Sequence, residues 1–551
     1  MEDIPMNNNR VLVIGLDGAS WNVLNPLMAA GKLPNLAHLV QEGASGLLRS
    51  TIPPVTAPAW VSFSTGVNPG KHGVFSFKTR GEDGRLTDFV SSRSVRSPRL
   101  WQLLSHQGKS VTVINVPVTY PPEPVNGLMV SGMLTPGRDS QFTHPSELRD
   151  EILSFAPDYV TDVNLLTGGR TLTTVKEKLD FVGETYSAMH SRSIVARHMM
   201  TQYPWDLFMV VFVTMDRIQH VLWRYLEPGD IPPPGQEQIL PAVHDLYSSL
   251  DASIGQLIAN AGQEVKVVIM SDHGFGQLHG AININRWLQK QKLLVFNEAK
   301  GNVRGWLMRL SQIIRWRSFV PESLRGRLRA PFDQEECIDW AQTKAYSGSP
   351  IEQGIFINTP DRRQGGIVRT SDEAERIKKE ISLLLPQLKD PATSMPAIEA
   401  VYDASELLTG PYVSQAPDLI YTPRDSGYLT NAGTPDLGLF DRGDYWIEGG
   451  YHHPDGILIA QGPDVKQGIE ITGANIVDVA PTILHMLNTS IPKHFDGIVL
   501  QNLFHSSFLK THPIQFTDVS FSDGEQDASL PYSESESEII HSRLRSLGYL
   551  D

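Results

Sequence analysis

The sequence predicts an α/β three-layer sandwich: a central, mostly parallel sheet with helices on both faces and an inserted region. Three observations carry that expectation. Short apolar runs rich in β-branched residues recur along the chain, as strands buried on both faces of a parallel sheet do. Segments with helical spacing separate them. Three runs stop almost at once on an acid: Asp17 after "VLVIGL", Asp216 after "LFMVVFVTM", and Asp272 with His273 after "VKVVIM". The carboxyl ends of parallel strands form the crevice where ligands bind, so residues distant in sequence converge there.

Taken in order, the expected strands are "VLVIGL" (11–16), "SVTVINV" (110–116), "LFMVVFV" (207–213), "VKVVIM" (265–270) and "GILIA" (456–460), all read as parallel. "TAPAWVSFSTG" has the pattern of a helix after a proline-rich turn, and "IVDVAPTILHML" (476–487) that of a helix packed on the sheet. Residues 281–439 lack the strand-then-acid rhythm and read as an inserted cap or substrate-specificity region. Residues 11–280 and 440–505 then form the catalytic core, and 506–551 a polar tail on the surface ending in a short helix.

Composition narrows the function. A chain of 551 residues has room for a large core plus an insertion, and 40% hydrophobic with 20% charged residues is globular. The N-terminus "MEDIPMNNNR" has no basic start or apolar stretch of a secretory signal, and no apolar run reaches the roughly 18 residues of a membrane span; a cytoplasmic location is expected. A net charge of −14 argues against duplex nucleic acid as a partner. Cys337 is the only cysteine, so a metal site must use Asp, Glu and His. One local exception to the acidic balance is 303–330, with seven arginines and one acid at helical spacing. It reads as a cap helix with outward arginines, or as a grip for an anionic substrate or a membrane surface.

Singly, each candidate residue has a modest explanation. Asp17 can cap the next helix, His220 lies one helical turn from Asp216, and Thr56 is a good helix N-cap. Together, Asp17, Asp216, His220, Asp272, His273 and a histidine of "GGYHHPDG" reach one rim of one sheet. Three carboxylates packed there raise one another's pKa unless cations sit among them. Oxygen and imidazole ligands suit Zn²⁺, with Mn²⁺ or Fe as alternatives, and six side chains suffice for two ions about 4 Å apart. A nucleophile is expected near Asp17, and Thr56, before the helix of "APAWVSFSTG", is the choice.

The chain resembles the type I phosphodiesterase and nucleotide pyrophosphatase family of the alkaline phosphatase superfamily. The resemblance rests on "IGLDG", "TAPAWVSFSTGVNPGKHG", "TMDRIQH", "SDHGFG" and "GYHHPDGILIAQGP" in that order. It implies an alkaline-phosphatase-like fold, one metal on Asp17, Asp272, His273 and the Thr56 oxygen, and a second on Asp216, His220 and His452, with His453 competing for the last place. It also implies attack by Thr56 on a phosphodiester or phosphoanhydride of a small substrate, a nucleotide among the candidates, through a threonyl phosphate, with the Ala57 backbone N–H helping to hold phosphoryl oxygens. Phe77 stands where the family has a phosphate-binding Asn. A phosphomonoesterase or phosphomutase on the same scaffold is the alternative, and an inactive binding module a third reading. Thr at the nucleophile position excludes formylglycine-based sulfatase chemistry, and "GVNPGKHG" is one residue short of a P-loop, with His72 where Ser or Thr belongs.

Overall fold

A computed structural model of the chain describes residues 9–81, 85–162, 172–226, 232–297, 337–349, 351–431, 438–442, 449–518 and 531–546. Nine strands of these residues form the central sheet. They are β1 (Val11–Leu16), β2 (Ala44–Arg49), β3 (Val111–Ile114), β4 (Gly127–Val130), β5 (Thr143–His144), β6 (Leu207–Phe212) and β7 (Lys266–Met270), followed, after a separate ribbon of β8 (Gly274–Gln277) and β9 (Gly450–His453), by β10 (Asp455–Gln461) and β11 (Ile469–Asn475). Their order is β11-β2-β10-β7-β1-β6-β3-β4-β5. The five strands β7-β1-β6-β3-β4 are parallel.

One expectation needs correction: the 456–460 run is antiparallel, pairing with β7 on one side and β2 on the other. Its burial matches that of the parallel strands, and burial carries no information about direction. The chain enters β10 from the rim where the parallel strands end.

Alternation along the strands feeds two apolar layers. Leu12, Ile14, Phe208 and Val210 meet α2 (Val175–Gln202) and α4 (Ile239–Ala261) on one face. Val11, Val13, Met209 and Val211 meet α1 (Thr56–Thr65) and α5 (Val479–Met486) on the other. Every residue of α1 is buried, and its Ser62, Ser64 and Thr65 hydroxyls are satisfied by His72 and the Val61 carbonyl. The short α3 (Thr214–Leu222) follows β6 directly.

Between β7 and β10 the chain builds a four-stranded antiparallel sheet in the order Ala345–Tyr346, Gly354–Ile357, Leu419–Pro423, Ile398–Asp403, with the helix Ser371–Leu384 laying Ile377 and Ile381 into the same apolar cluster. That cluster, around Trp287, Tyr346, Phe356 and Tyr421, is separate from the layers on the central sheet. The whole arginine-rich stretch, 303–330, lies within 298–336, outside the described residues. The last described element, α6 (Glu534–Ser546), does more than lie on the surface: Ile540 and Leu544 are buried in the α2–α4 layer.

Candidate metal centre

Register brings the strand ends together. Leu16 pairs with Phe212 and Gly15 with Met270, so Asp17, the start of α3 and the Ser271–His273 turn emerge side by side. Two glycines make the approach possible. Gly18 has φ +71°, and a Cβ there would meet the Asp216 Cα at 3.1 Å; at Gly274 it would meet the Asp455 carbonyl at 2.0 Å. Asp17 caps nothing, since Ser20 occupies the N-cap position of the next helix. Nor is Thr56 an N-cap: Val55, in extended conformation, takes that position and Thr56 is the first helical residue. The Thr56 hydroxyl lies 3.1 Å from His273 Nε2.

Each of the three carboxylates is held by one oxygen and presents the other. The Trp60 indole N–H donates to Asp17 Oδ2 at 3.1 Å, and the Gly18 backbone N–H to Asp272 Oδ1 at 3.3 Å. Arg217 Nη1 grips Asp216 Oδ2. On the open side, Asp17 Oδ1 and Asp272 Oδ2 are buried with no hydrogen-bond partner, 3.7 and 3.2 Å from His273 Nε2. Asp216 Oδ1 is 3.3 Å from His220 Nε2 and 3.4 Å from His452 Nε2.

The histidines are oriented by backbone carbonyls. His273 Nδ1–H donates to the Gly274 carbonyl at 3.1 Å, and His452 Nδ1–H to the Pro54 carbonyl at 2.9 Å. Both Nε2 atoms therefore carry lone pairs toward the cage, as a ligand imidazole requires. His220 Nε2 is 3.1 Å from His452 Nε2. Ligand atoms of Asp17, Asp272 and His273 lie within 4.8 Å of one another, as do those of Asp216, His273 and His452. His273 thus stands between two groups. His453 faces Asp455 at 3.8 Å instead.

Without a cation this arrangement holds protons. Burial, then the charge of Asp216, pushes Asp17 well above the carboxylate range, and burial with Asp17 and Asp216 does the same to Asp272. Burial would raise Asp216 too, but His220, His452 and Arg217 hold it well below. Burial and the neighbouring His452 pull His273 far below the ordinary imidazole value, and burial brings His452 down to about 4. Orphaned carboxylate oxygens facing bare imidazole nitrogens fit divalent cations such as Zn²⁺ or Mn²⁺, which would displace the protons. Cys337, buried in the separate cluster, has no part in this donor set.

The sequence profile of the type I phosphodiesterase / nucleotide pyrophosphatase family matches residues 11–456, which include every one of these groups. The chain belongs to that family. Among solved structures, phosphonoacetate hydrolase from Sinorhizobium meliloti, in complex with phosphonoformate, is similar with a TM-score of 0.52 at 13% identity, over 88% of this chain and 96% of the other. Human ectonucleotide pyrophosphatase / phosphodiesterase 5 gives 0.48 at 14% identity (90% and 100% covered), and wild-type alkaline phosphatase PafA 0.49 at 15% (90% and 99%). No curated protein sequence matches. The fold of this type I phosphodiesterase family member is alkaline-phosphatase-like, and its family places it among phosphodiesterase-, pyrophosphatase- or phosphoesterase-type hydrolases.

Several supporting residues of this family member escape sequence reasoning. Trp60 lies one helical turn after Thr56 and Arg217 directly after Asp216, both visible in "TAPAW" and "MDR" once a site is suspected. Asp162, which binds Arg217 through both oxygens at 3.3 and 2.9 Å, carries no local signal. Gln219 donates to the Gly18 carbonyl at 2.8 Å and ties α3 to the Asp17 turn. Phe77 belongs to the apolar core. Ala57 is the second residue of α1, a first-turn position whose N–H has no partner within the helix.

Proposed function

We propose that the chain hydrolyses phosphodiester or phosphoanhydride bonds of a small substrate, a nucleotide among the candidates, with Thr56 as nucleophile. The observation that carries this is the Thr56 hydroxyl at the first position of a buried helix, 3.1 Å from His273 Nε2 and beside unpaired buried carboxylate oxygens. Asp17, Asp272, His273 and the Thr56 oxygen would hold one divalent ion, and Asp216, His220 and His452 a second. When bound, these ions supply Lewis-acid activation of the threonine oxygen and neutralise charge on the leaving oxygen.

The remaining work falls to the chain. The carbonyls of Gly274 and Pro54 fix the two rings, so Thr56 Oγ1 keeps one position relative to the cage. The Ala57 N–H, in the first turn of α1, would help hold the equatorial phosphoryl oxygens. Thr56 Oγ1 gives up its proton and forms a bond to phosphorus in line while the ester or anhydride P–O bond opposite it breaks, its electron pair staying on the departing oxygen, which takes up a proton and leaves as an alcohol or a phosphate. Water then attacks the threonyl phosphate, phosphate or a phosphomonoester leaves, and the Thr56 hydroxyl takes back a proton. Residues 281–439 act as a cap that selects the substrate.

Thr56→Ala is expected to lower turnover by at least about 1,000-fold while zinc content stays near that of the wild type. Metal analysis and rates on a diester and a monoester with the same leaving group check both parts. Unchanged diester hydrolysis removes Thr56 from its role, and a monoester preference transfers the chain to the phosphomonoesterase reading.

A further inference from the structure

One apolar side chain lies against all three imidazoles of the cage. Phe275 comes two residues after His273 and sits opposite His452 in the pairing of β8 with β9, and the period of a strand puts such residues on one face. The Phe275 ring centroid is 5.4 Å from that of His452, with the planes at 70°, and 6.0 Å from that of His273. From α3, His220 meets the same ring at 4.9 Å and 83°. Edge-on approaches of this kind are a favourable geometry for aromatic pairs. Behind Phe275, the Trp223 ring stacks at 6.1 Å and 25°, and the Asn22 side-chain amide donates to the Phe275 carbonyl at 3.1 Å. Toward Asp17 the fit is as close, since a Cβ at Gly18 would come within 3.0 Å of the ring. Phe275 is 1% exposed, and in a close-packed interior it cannot turn away without moving one of these neighbours.

A carbonyl acceptor sets the direction of His273 and of His452, but a single hydrogen bond leaves a ring free to rock about it. Phe275 takes up that freedom in both, and in His220 together with Tyr451, whose ring is 6.1 Å away. His273 groups with Asp17 and Asp272, whereas His220 and His452 face Asp216, so one phenyl ring serves both sets of ligands. We propose that Phe275 is a positioning residue for the whole centre, its ring holding His220, His273 and His452 at one spacing and thereby coupling the two ion positions. The inference rests on the reading of the cage as a two-ion centre.

The test uses the full-length protein stripped of metal and titrated with Zn²⁺ against a competing chelator, with bound metal counted directly. A parallel titration with Co²⁺ reads ligand geometry from its visible absorption. The wild type is expected to take two zinc equivalents; fewer than two overturns the two-ion reading and this inference with it. Phe275→Ala is expected to weaken both equivalents by about 10- to 100-fold and to weaken the cobalt absorption, because rocking rings admit water to the ion. Phe275→Leu fills most of the space without the ring edges. It is expected to melt closer to the wild type while still weakening both equivalents, and it replaces Phe275→Ala if that variant does not fold. Leu246→Ala opens a cavity in the same apolar layer, on α4, and is expected to lower the melting temperature while zinc affinity holds. Wild-type zinc affinity in the Phe275 variants overturns the proposal, and so does weakening of one equivalent alone, since Phe275 would then neighbour one ion without linking two. Equal weakening in Leu246→Ala also overturns it, because general loosening would explain the effect.

Discussion

Asp17 depends on an indole. The Trp60 indole N–H donates to Asp17 Oδ2, and both residues are fully buried. Trp60→Phe keeps most of the ring and removes the donor, leaving a buried acceptor unmet. The expected cost is about 1–3 kcal/mol of stability, read from denaturant melts, with zinc affinity down by about 10-fold or more. The adjacent histidines separate just as cleanly. His452→Ala is expected to reduce zinc binding and turnover together, whereas His453→Ala, which removes a side chain facing Asp455, is expected to leave zinc affinity near wild type. Sequence alone leaves this pair unresolved because neighbours on a strand point to opposite faces, and only the pairing of β9 with β8, Phe275 opposite His452, says which faces the rim. The acids at strand ends were legible for the opposite reason: an apolar run that stops on a carboxylate marks its own end.

At the scale of elements, α1 and the turn after it act as one unit. The Val74 backbone N–H donates to His72 Nδ1 at 3.2 Å, so the Nε2–H donates to Ser62 Oγ at 2.9 Å and ties that turn to the middle of α1. Burial, then the nearby Arg99 charge, brings His72 down to about 3. The unfolded chain binds this proton first, near pH 6.5, and the folded chain only near pH 3. Stability from this group is therefore complete above pH 6.5 and is lost as pH falls, by about 2 kcal/mol at pH 5. His72→Gln is expected to flatten that slope between pH 6.5 and 4 in urea melts compared with the wild type; an unchanged slope assigns the pH dependence elsewhere. The direction of β10 and the link from Asp162 through Arg217 to Asp216 were illegible, the first because apolar runs have no polarity, the second because ion pairs over long sequence separations leave no local pattern.

For the whole molecule, the carboxylate cage bears on stability. Three buried carboxylates on adjacent turns resist folding unless protons or cations join them. Chelation is expected to lower the melting temperature and zinc to restore it, since an ion at about 1,000 times its Kd contributes roughly 4 kcal/mol. Scanning calorimetry with and without chelator checks this, and an unchanged melt argues that the cage takes no ion. Among the described residues, no helix is long and apolar enough to cross a membrane.

The β8–β9 ribbon has a mechanical consequence. The described residues between Leu278 and Gly449 leave and return through these two short strands, which work as a clasp on a very large loop. His273 and His452 sit at its base, and their rings stack at 3.7 Å. Opening the clasp pulls the imidazoles apart, and anything that bridges them keeps it shut. Chelation is thus expected to slacken the attachment of a distant sheet, with protease cuts in that sheet quickening before the central strands yield.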